Sequence, residues 1–388
     1  MKKYLEEQFL KTFQSEPDKY LSCGGRFEVL GNHTDHNHGL CIAATCSLSI
    51  YAAIKKRDDE HVHLLSEGFG YFEIDLTDLE KVETEIGQPA AIIRGIADYL
   101  FDNKYKVGGF DIYLKSEVPA GAGVSSSAAF ELLLAQTYNV LFNNSEIPLM
   151  TLCKAGQFAE REYYGKMCGL LDQIGVAYGG LIYIDFKDIA NPEVKPLRLN
   201  LDGYQFVIVN SGGSHAELSH LYKAIPDQMF EVANVFGKSF LRYVDYEELK
   251  KNKQNVIEKC GKEAYQKAKH FSEENKRVEK AYTAIEKNDV EKLIKLINES
   301  RESSTDLLEN MCVEGKIKGS PLEACRLIMK ASHQKAGVKI NGGGFAGSVI
   351  ALVPKDELRN VVDAAKEKYG KENIHLVDVR NDTPCELL

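Results

Sequence analysis

Short apolar runs, many of them β-branched, alternate with helix-spaced segments through the first half of the chain. Residues 48–54 and 110–114 read as strands, and 128–141, with small and large apolar residues throughout, as a helix. Strand patterns return at 180–186 and 204–209. Between them, residues 191–196 carry Pro192, Pro196 and charge, which marks a boundary candidate. From 245 to 310 the pattern turns charged and helical. A glycine-rich stretch from 337 runs into a strand at 348–353, followed by a helix at 356–369 and a strand at 374–379. Strands and helices mix in both halves, so the pattern predicts an α+β protein of two domains, 1–195 and 196–388.

Composition narrows the class. A chain of 388 residues is long enough for two ordinary domains. With 48 Lys and Arg against 57 Asp and Glu, the net charge is −9. That balance disfavours a general nucleic-acid or anionic-membrane binder, which needs a basic surface. Residues 1–10 mix Lys, Glu and Gln with apolar residues and lack a signal-peptide core, and no apolar run reaches the ~18 residues of a membrane span. Nine scattered cysteines with no CxxC pair point to reduced thiols and a cytoplasmic protein.

Three segments carry candidate chemistry. The first is the loop Val118-Pro-Ala-Gly-Ala-Gly-Val-Ser-Ser-Ser-Ala-Ala. Glycines let a backbone approach a ligand closely, and serines at a helix start add hydroxyls to free N–H groups that favour an anion. Gly121, Ala122, Gly123, Val124, Ser125, Ser126, Ser127 and Ala128 are therefore candidate phosphate-binding residues. The loop is neither a Walker A nor a Rossmann fingerprint. An ordinary Ser-capped helix after a glycine turn has the same local look.

The second segment, residues 26–39, reads RFEVLGNHTDHNHG. A strand empties at Gly31 into a turn crowded with Asn32, His33, Asp35, His36, Asn37 and His38. Donors and acceptors gathered on one loop suit hydroxyl recognition. A zinc site from His33, Asp35, His36 and His38 is a rival, though no second cluster completes its shell. A solvated Asn/Asp/Gly turn is another.

The third segment holds Glu160 and Asp172, framing AEREYYGKMCGLLDQ. Two such carboxylates can divide labour, one holding a metal and the other accepting a proton. Asp172 lies among Leu170, Leu171 and Ile174, so it needs a partner to stay ionised, and Arg26 is the candidate. Taken singly, a surface Glu and a capping Asp explain them as well.

Together these segments resemble the galactokinases of the GHMP kinase superfamily. Residues 26–39 are similar to that family's RxNLIGEHTDYNGG signature, and Pro119 to Ala128 to its P-x(3)-G-L-S-S-S-A loop. The third segment resembles AExxxxGxxCGIMDQ, residues 338–347 the C-terminal glycine motif, and Asn210-Ser211 with Tyr222 the NS…SEY segment. The likeness runs from about residue 20 to 355. It implies a two-domain fold with the active site in the interdomain cleft, and ATP-dependent phosphorylation of a monosaccharide's anomeric hydroxyl, with galactose the leading substrate and Mg²⁺ the cofactor. By the same resemblance Asp172 is the base and Arg26 its partner. Ser127 and Glu160 are the Mg²⁺ ligands, and His33, Asp35 and Tyr222 contact the sugar. Sugar and ATP are the implied partners, with no obligate protein partner.

The chain departs from the pattern in places. Asn32 stands where the family has Glu, and Glu28 where it has Asn. Four residues apart on a strand, the two share a face, so Glu28 is expected to restore a carboxylate near the sugar. His36 replaces the usual Tyr, and residues 89–95 replace WxNYxxG in a chain without tryptophan. The basic run after Tyr222 is reduced to Lys223. Rival functions are a kinase for another aldose, such as N-acetylgalactosamine or arabinose, and a silent sugar sensor. The complete Ser125–Ala128 run with Arg26 and Asp172 favours an enzyme.

Overall fold

In the computed structural model, residues 1–118, 123–212, 218–313 and 315–386 are described. Two antiparallel-rich sheets organise them. The first sheet is built from β1 (Lys19–Leu30), β2 (Leu40–Lys56), β3 (His61–Ser66), β4 (Gly70–Asp75), β5 (Phe110–Ser116), β6 (Leu181–Asp185) and β7 (Glu193–Leu197). The second contains β8 (Tyr204–Asn210), β9 (Gly337–Ile340), β10 (Ser348–Pro354) and β11 (Ile374–Val377), in the order β11-β8-β10-β9. A last short strand, β12 (Cys385–Glu386), returns to pair with β1 in the first sheet.

The 17-residue β2 is the axis of the first sheet. It pairs with β1 on one side, while its two ends pair with β6 and β5 on the other. Its β-branched and alanine positions suit a strand covered on both faces. Irregularities in the β1–β2 register fall between Gly24 and Arg26 and between Glu28 and Leu30. They bracket Arg26 to Glu28, and bulges of this kind re-aim side chains.

Helices supply the cover. Ser126–Phe142 packs on β1 and β2, with Leu132, Leu133 and Tyr138 buried. The 25-residue helix Lys262–Glu286 lies against β1, β2 and β7. The largest core runs from the first sheet through Phe206 and Ile208 of β8 to Ile350 of β10, so apolar packing joins the two sheets. Phe27 and Phe206 meet across that join at 4.6 Å between ring centroids. Among the described residues, no helix is long and apolar enough to cross a membrane.

The strands and helices expected along the chain are present with shifted ends. One expectation needs correction. The proline-bearing boundary candidate at 191–196 is not an irregular segment throughout: from Glu193 it enters the strand β7, which among the described residues pairs with β6 and lies at the sheet's edge. A proline is tolerated there because an edge strand has one side that donates no ladder hydrogen bonds.

Candidate active site

Two distant parts of the chain converge on the carboxylate of Asp172. Arg26, from the bulged stretch of β1, donates from Nε to Asp172 Oδ1 at 2.8 Å and pairs with the same oxygen through Nη2 at 2.7 Å. The Ser125 hydroxyl donates to Oδ2 at 2.6 Å. Asp172 stands in the first turn of the helix Leu171–Ala177, and 37% of its side chain stays open. Burial alone would raise its pKa. The Arg26 charge and the Ser125 hydrogen bond outweigh that and hold the carboxyl below its ordinary value. The group is therefore an ionised proton acceptor at neutral pH, with its face open to a ligand.

The same arginine fixes the end of the phosphate loop. Arg26 Nη1 donates to the Gly123 carbonyl at 2.8 Å, and its backbone N–H donates to the Val124 carbonyl at 2.9 Å. Asn341 Nδ2 adds a second donor to Gly123 at 2.9 Å. Gly123 takes a positive φ of 71°, and a Cβ there would run into the Ser348 hydroxyl. Ser125 is also left-handed, at φ 53°, which costs free energy for a residue with a Cβ and is over-determined here by these bonds. Ser126 and Ser127 open the helix that follows, and Val124 and Ala128 are buried beneath it. Free N–H groups at a helix start favour phosphate. Gly121 and Ala122 lie outside the described residues.

Glu160 sits on a π turn, Ala159–Tyr163, at the end of the helix Leu149–Phe158. Such turns widen a helix locally and are common at functional sites. Its Oε1 accepts from Lys166 Nζ at 2.5 Å, and its Oε2 faces Gln173 Nε2 at 3.4 Å. The Gln173 amide also donates to Glu131 Oε2 at 2.8 Å. Glu131 is buried, and burial followed by the Glu160 charge pushes its pKa well up. Among the described residues, Glu131 Oε1 makes no hydrogen bond. This oxygen-rich corner, already holding one cation, suits a hard divalent ion held by few protein ligands.

The polar turn after β1 divides into two sets. In one, His33 Nε2 faces the Gly343 carbonyl at 2.8 Å, and His33 Nδ1 faces His36 Nε2 at 3.1 Å. A carbonyl accepts only, so His33 is protonated on Nε2 and its Nδ1 accepts from His36. Burial holds both rings neutral, with the His33 pKa pushed down to about 3 and that of His36 to about 4. The Tyr222 ring lies 5.1 Å from that of His33 and is partly exposed. Asp35 reaches Gly169, where a Cβ would strike its carboxylate. Burial, then the nearby Asp172 charge, raises the Asp35 pKa to about 6. His38 turns away and stacks on Phe240 at 3.8 Å, so the histidines do not converge as a zinc shell would require.

The other set is closed. Asn32 donates to the Gly342 carbonyl at 2.8 Å and accepts from Asn310 Nδ2 at 2.9 Å. Glu28 does not present a free carboxylate: Lys339 Nζ pairs with it at 2.6 Å, and both side chains are buried. Asn32 Nδ2 approaches Glu28 Oε1 at 3.4 Å from the turn beyond β1, so both side chains are engaged within the protein. Below them Glu274 accepts from Gly31 N at 3.0 Å, from Ser300 Oγ at 2.7 Å and from Arg277 Nε at 2.7 Å. Burial would raise its pKa, yet Arg277, His270 and Ser300 hold it down to about 2. His270 Nε2 meets the Asn32 carbonyl at 3.0 Å.

Sequence reasoning passed over Lys339, Asn341, Glu274, His270 and Lys166. Lys339 alternates with buried Val338 and Ile340, so a period-2 reading turns it to solvent. Glu274 and His270 lie in a helix so charged that its inward polar residues have no separate signal. Asn341 alone had one, as the residue opening a glycine run at a strand's end.

The fold and this site define a GHMP kinase. Residues 91–180 match the model of the GHMP kinases N terminal domain, 281–371 that of the GHMP kinases C terminal, and 7–56 the galactokinase galactose-binding signature. The crystal structure of Lactococcus lactis galactokinase complexed with galactose superposes with a TM-score of 0.85 at 26% identity, over 99% of both chains. The mevalonate kinase of Methanococcus jannaschii, at 17% identity and TM-score 0.65 over 93% of this chain and 98% of that one, shares the fold. A galactokinase of Thermotoga neapolitana is 31% identical over 89% of this chain and 92% of its own length. One from Glaesserella parasuis is 29% identical, with 95% and 93% covered. This chain belongs to the galactokinase family.

Proposed function

We propose that the chain transfers the terminal phosphoryl group of ATP to the anomeric hydroxyl of galactose, giving galactose 1-phosphate. One observation carries this reading. Asp172 is held ionised by Arg26 and Ser125 while facing outward beside the phosphate loop. Phosphoryl transfer needs positioning and charge neutralisation more than covalent help. Asp172 accepts the hydroxyl proton as the oxygen attacks. Arg26 keeps that carboxylate ionised and offsets negative charge on the phosphoryl group in flight. Gly121 to Ala128 hold the phosphates through N–H groups and hydroxyls. Ser127 and Glu160 would hold Mg²⁺, which neutralises phosphate charge when bound. His33, Asp35 and Tyr222 contact the sugar, His33 by its ring faces because both nitrogens are engaged. Asn32 and Glu28 support that wall from behind.

The change from one sheet to the other between Leu197 and Tyr204 supports a division into N- and C-terminal domains near residue 200. Nine free thiols support a reducing, cytoplasmic setting. A different aldose is the second reading, and the buried, fully engaged Asn32 in place of the family's Glu favours it. The test is ATP consumption with Mg²⁺ across hexoses and pentoses. The account expects galactose to be turned over best. Turnover of another aldose alone selects the second reading, and turnover of none refutes both.

A further inference from the structure

The ion pair at Glu160 is arranged asymmetrically. Glu160 is buried, with 4% of its side chain exposed, whereas Lys166 is 58% exposed. The ammonium thus reaches the carboxylate from the solvent side. Oε2 of Glu160 is turned inward toward Gln173, which leaves Oε1 as the oxygen presented outward, and Lys166 Nζ occupies it at 2.5 Å. The Lys166 backbone N–H donates to the Glu160 carbonyl at 2.9 Å, so the backbone carrying the lysine is anchored while much of its side chain is exposed. Asp172 adds to the negative field around the ammonium.

We propose that Lys166 is a tethered placeholder cation, which neutralises Glu160 in the empty protein and is displaced when a divalent ion binds. The inference rests on Glu160 being a metal ligand, as assigned above. A buried carboxylate without a counter-charge is costly, and the lysine removes that cost before any metal arrives. The arrangement works against the metal, which must break the pair and then tolerate a unit positive charge close by. A lysine suits the task because its compact charge rides on a flexible four-carbon stem. Once displaced, its ammonium remains in the field of Asp172, the carboxylate that Ser125 of the loop bonds. Position 166 is unspecified in the AExxxxGxxCGIMDQ pattern, so this device belongs to the present chain rather than to the signature.

The test is Mn²⁺ binding to the full chain, followed by electron paramagnetic resonance with and without ADP, for wild type, Lys166→Met, Lys166→Arg and Glu160→Gln. Melting curves establish that each variant is folded. Lys166→Met is expected to bind Mn²⁺ at least about fivefold more tightly, the scale for removing one nearby like charge. Lys166→Arg, which keeps the charge, should bind as wild type does. Unchanged or weaker binding by Lys166→Met, or tight binding by Lys166→Arg, overturns the proposal. Glu160→Gln should weaken binding at least about tenfold, since one carboxylate ligand is lost. If it does not, the ligand assignment itself fails, whatever Lys166 does.

Discussion

Arg26 and Glu28 leave the same bulged strand two residues apart, and each pairs with an opposite charge brought from far along the chain. The outcomes differ. Arg26 meets Asp172, whose side chain keeps 37% of its surface open, and one of that carboxylate's partners is a hydroxyl. Glu28 meets Lys339, and 4% and 0% of those side chains remain exposed. Lys339 also donates to the Ile340 carbonyl at 2.7 Å, which leaves that pair no room for a ligand. Charge type and strand position are nearly the same in the two pairs. Access separates a pair able to work on a substrate from one that ties two sheets together.

Breaking the closed pair has the largest expected effect. Lys339→Met leaves a buried carboxylate uncompensated, and the expected loss is about 3–5 kcal/mol in chemical denaturation. Adding Glu28→Gln should recover much of it, and a Lys339→Met protein as stable as wild type would remove the distinction drawn above. Arg26→Lys tests the open pair. One ammonium cannot serve both Asp172 and the Gly123 carbonyl in the guanidinium's geometry, so kcat should fall on the order of 10²-fold. Its melting temperature should move far less than that of Lys339→Met.

Ser125→Ala sharpens the comparison. Asp172 sits below its ordinary pKa with the help of this hydroxyl, so its removal raises the value and moves the acid limb of kcat/KM upward. A limb that stays in place would deny Ser125 that influence. The smallest effect concerns Asp35, whose carboxyl titrates at about 6. Above that pH it is an ionised acceptor for sugar hydroxyls, and as pH falls through 6 it gains a proton. The KM for sugar should therefore rise a few-fold between pH 7 and 5, on the scale of one hydrogen bond to a charged group. Asp35→Asn should flatten the change.

Much of the framework was legible in the residues because apolar periodicity reports burial. The helix over 126–142 and strands β2, β5, β8 and β10 came from that signal. Arg26 and Asp172 were legible as a candidate pair because an acid among leucines needs a counter-charge, and the structure brings them to 2.7 Å. Their supports were not legible. Lys339 looks exposed in an alternating strand, and Glu274 is one acid among many in a charged helix. Asn32 and Glu28 come within 3.4 Å although Asn32 lies in the turn beyond β1, and what closes them off is the second sheet packed against them. No local pattern encodes that contact.

The central claim is that Asp172 works as a proton acceptor rather than as part of the framework. The direct measurement is kcat for galactose phosphorylation in Asp172→Asn, read beside its melting temperature. The account predicts a fall of at least ~10²-fold, the scale of a lost general base, in a protein that still folds and still binds sugar. Turnover near the wild-type rate in that folded variant would contradict it.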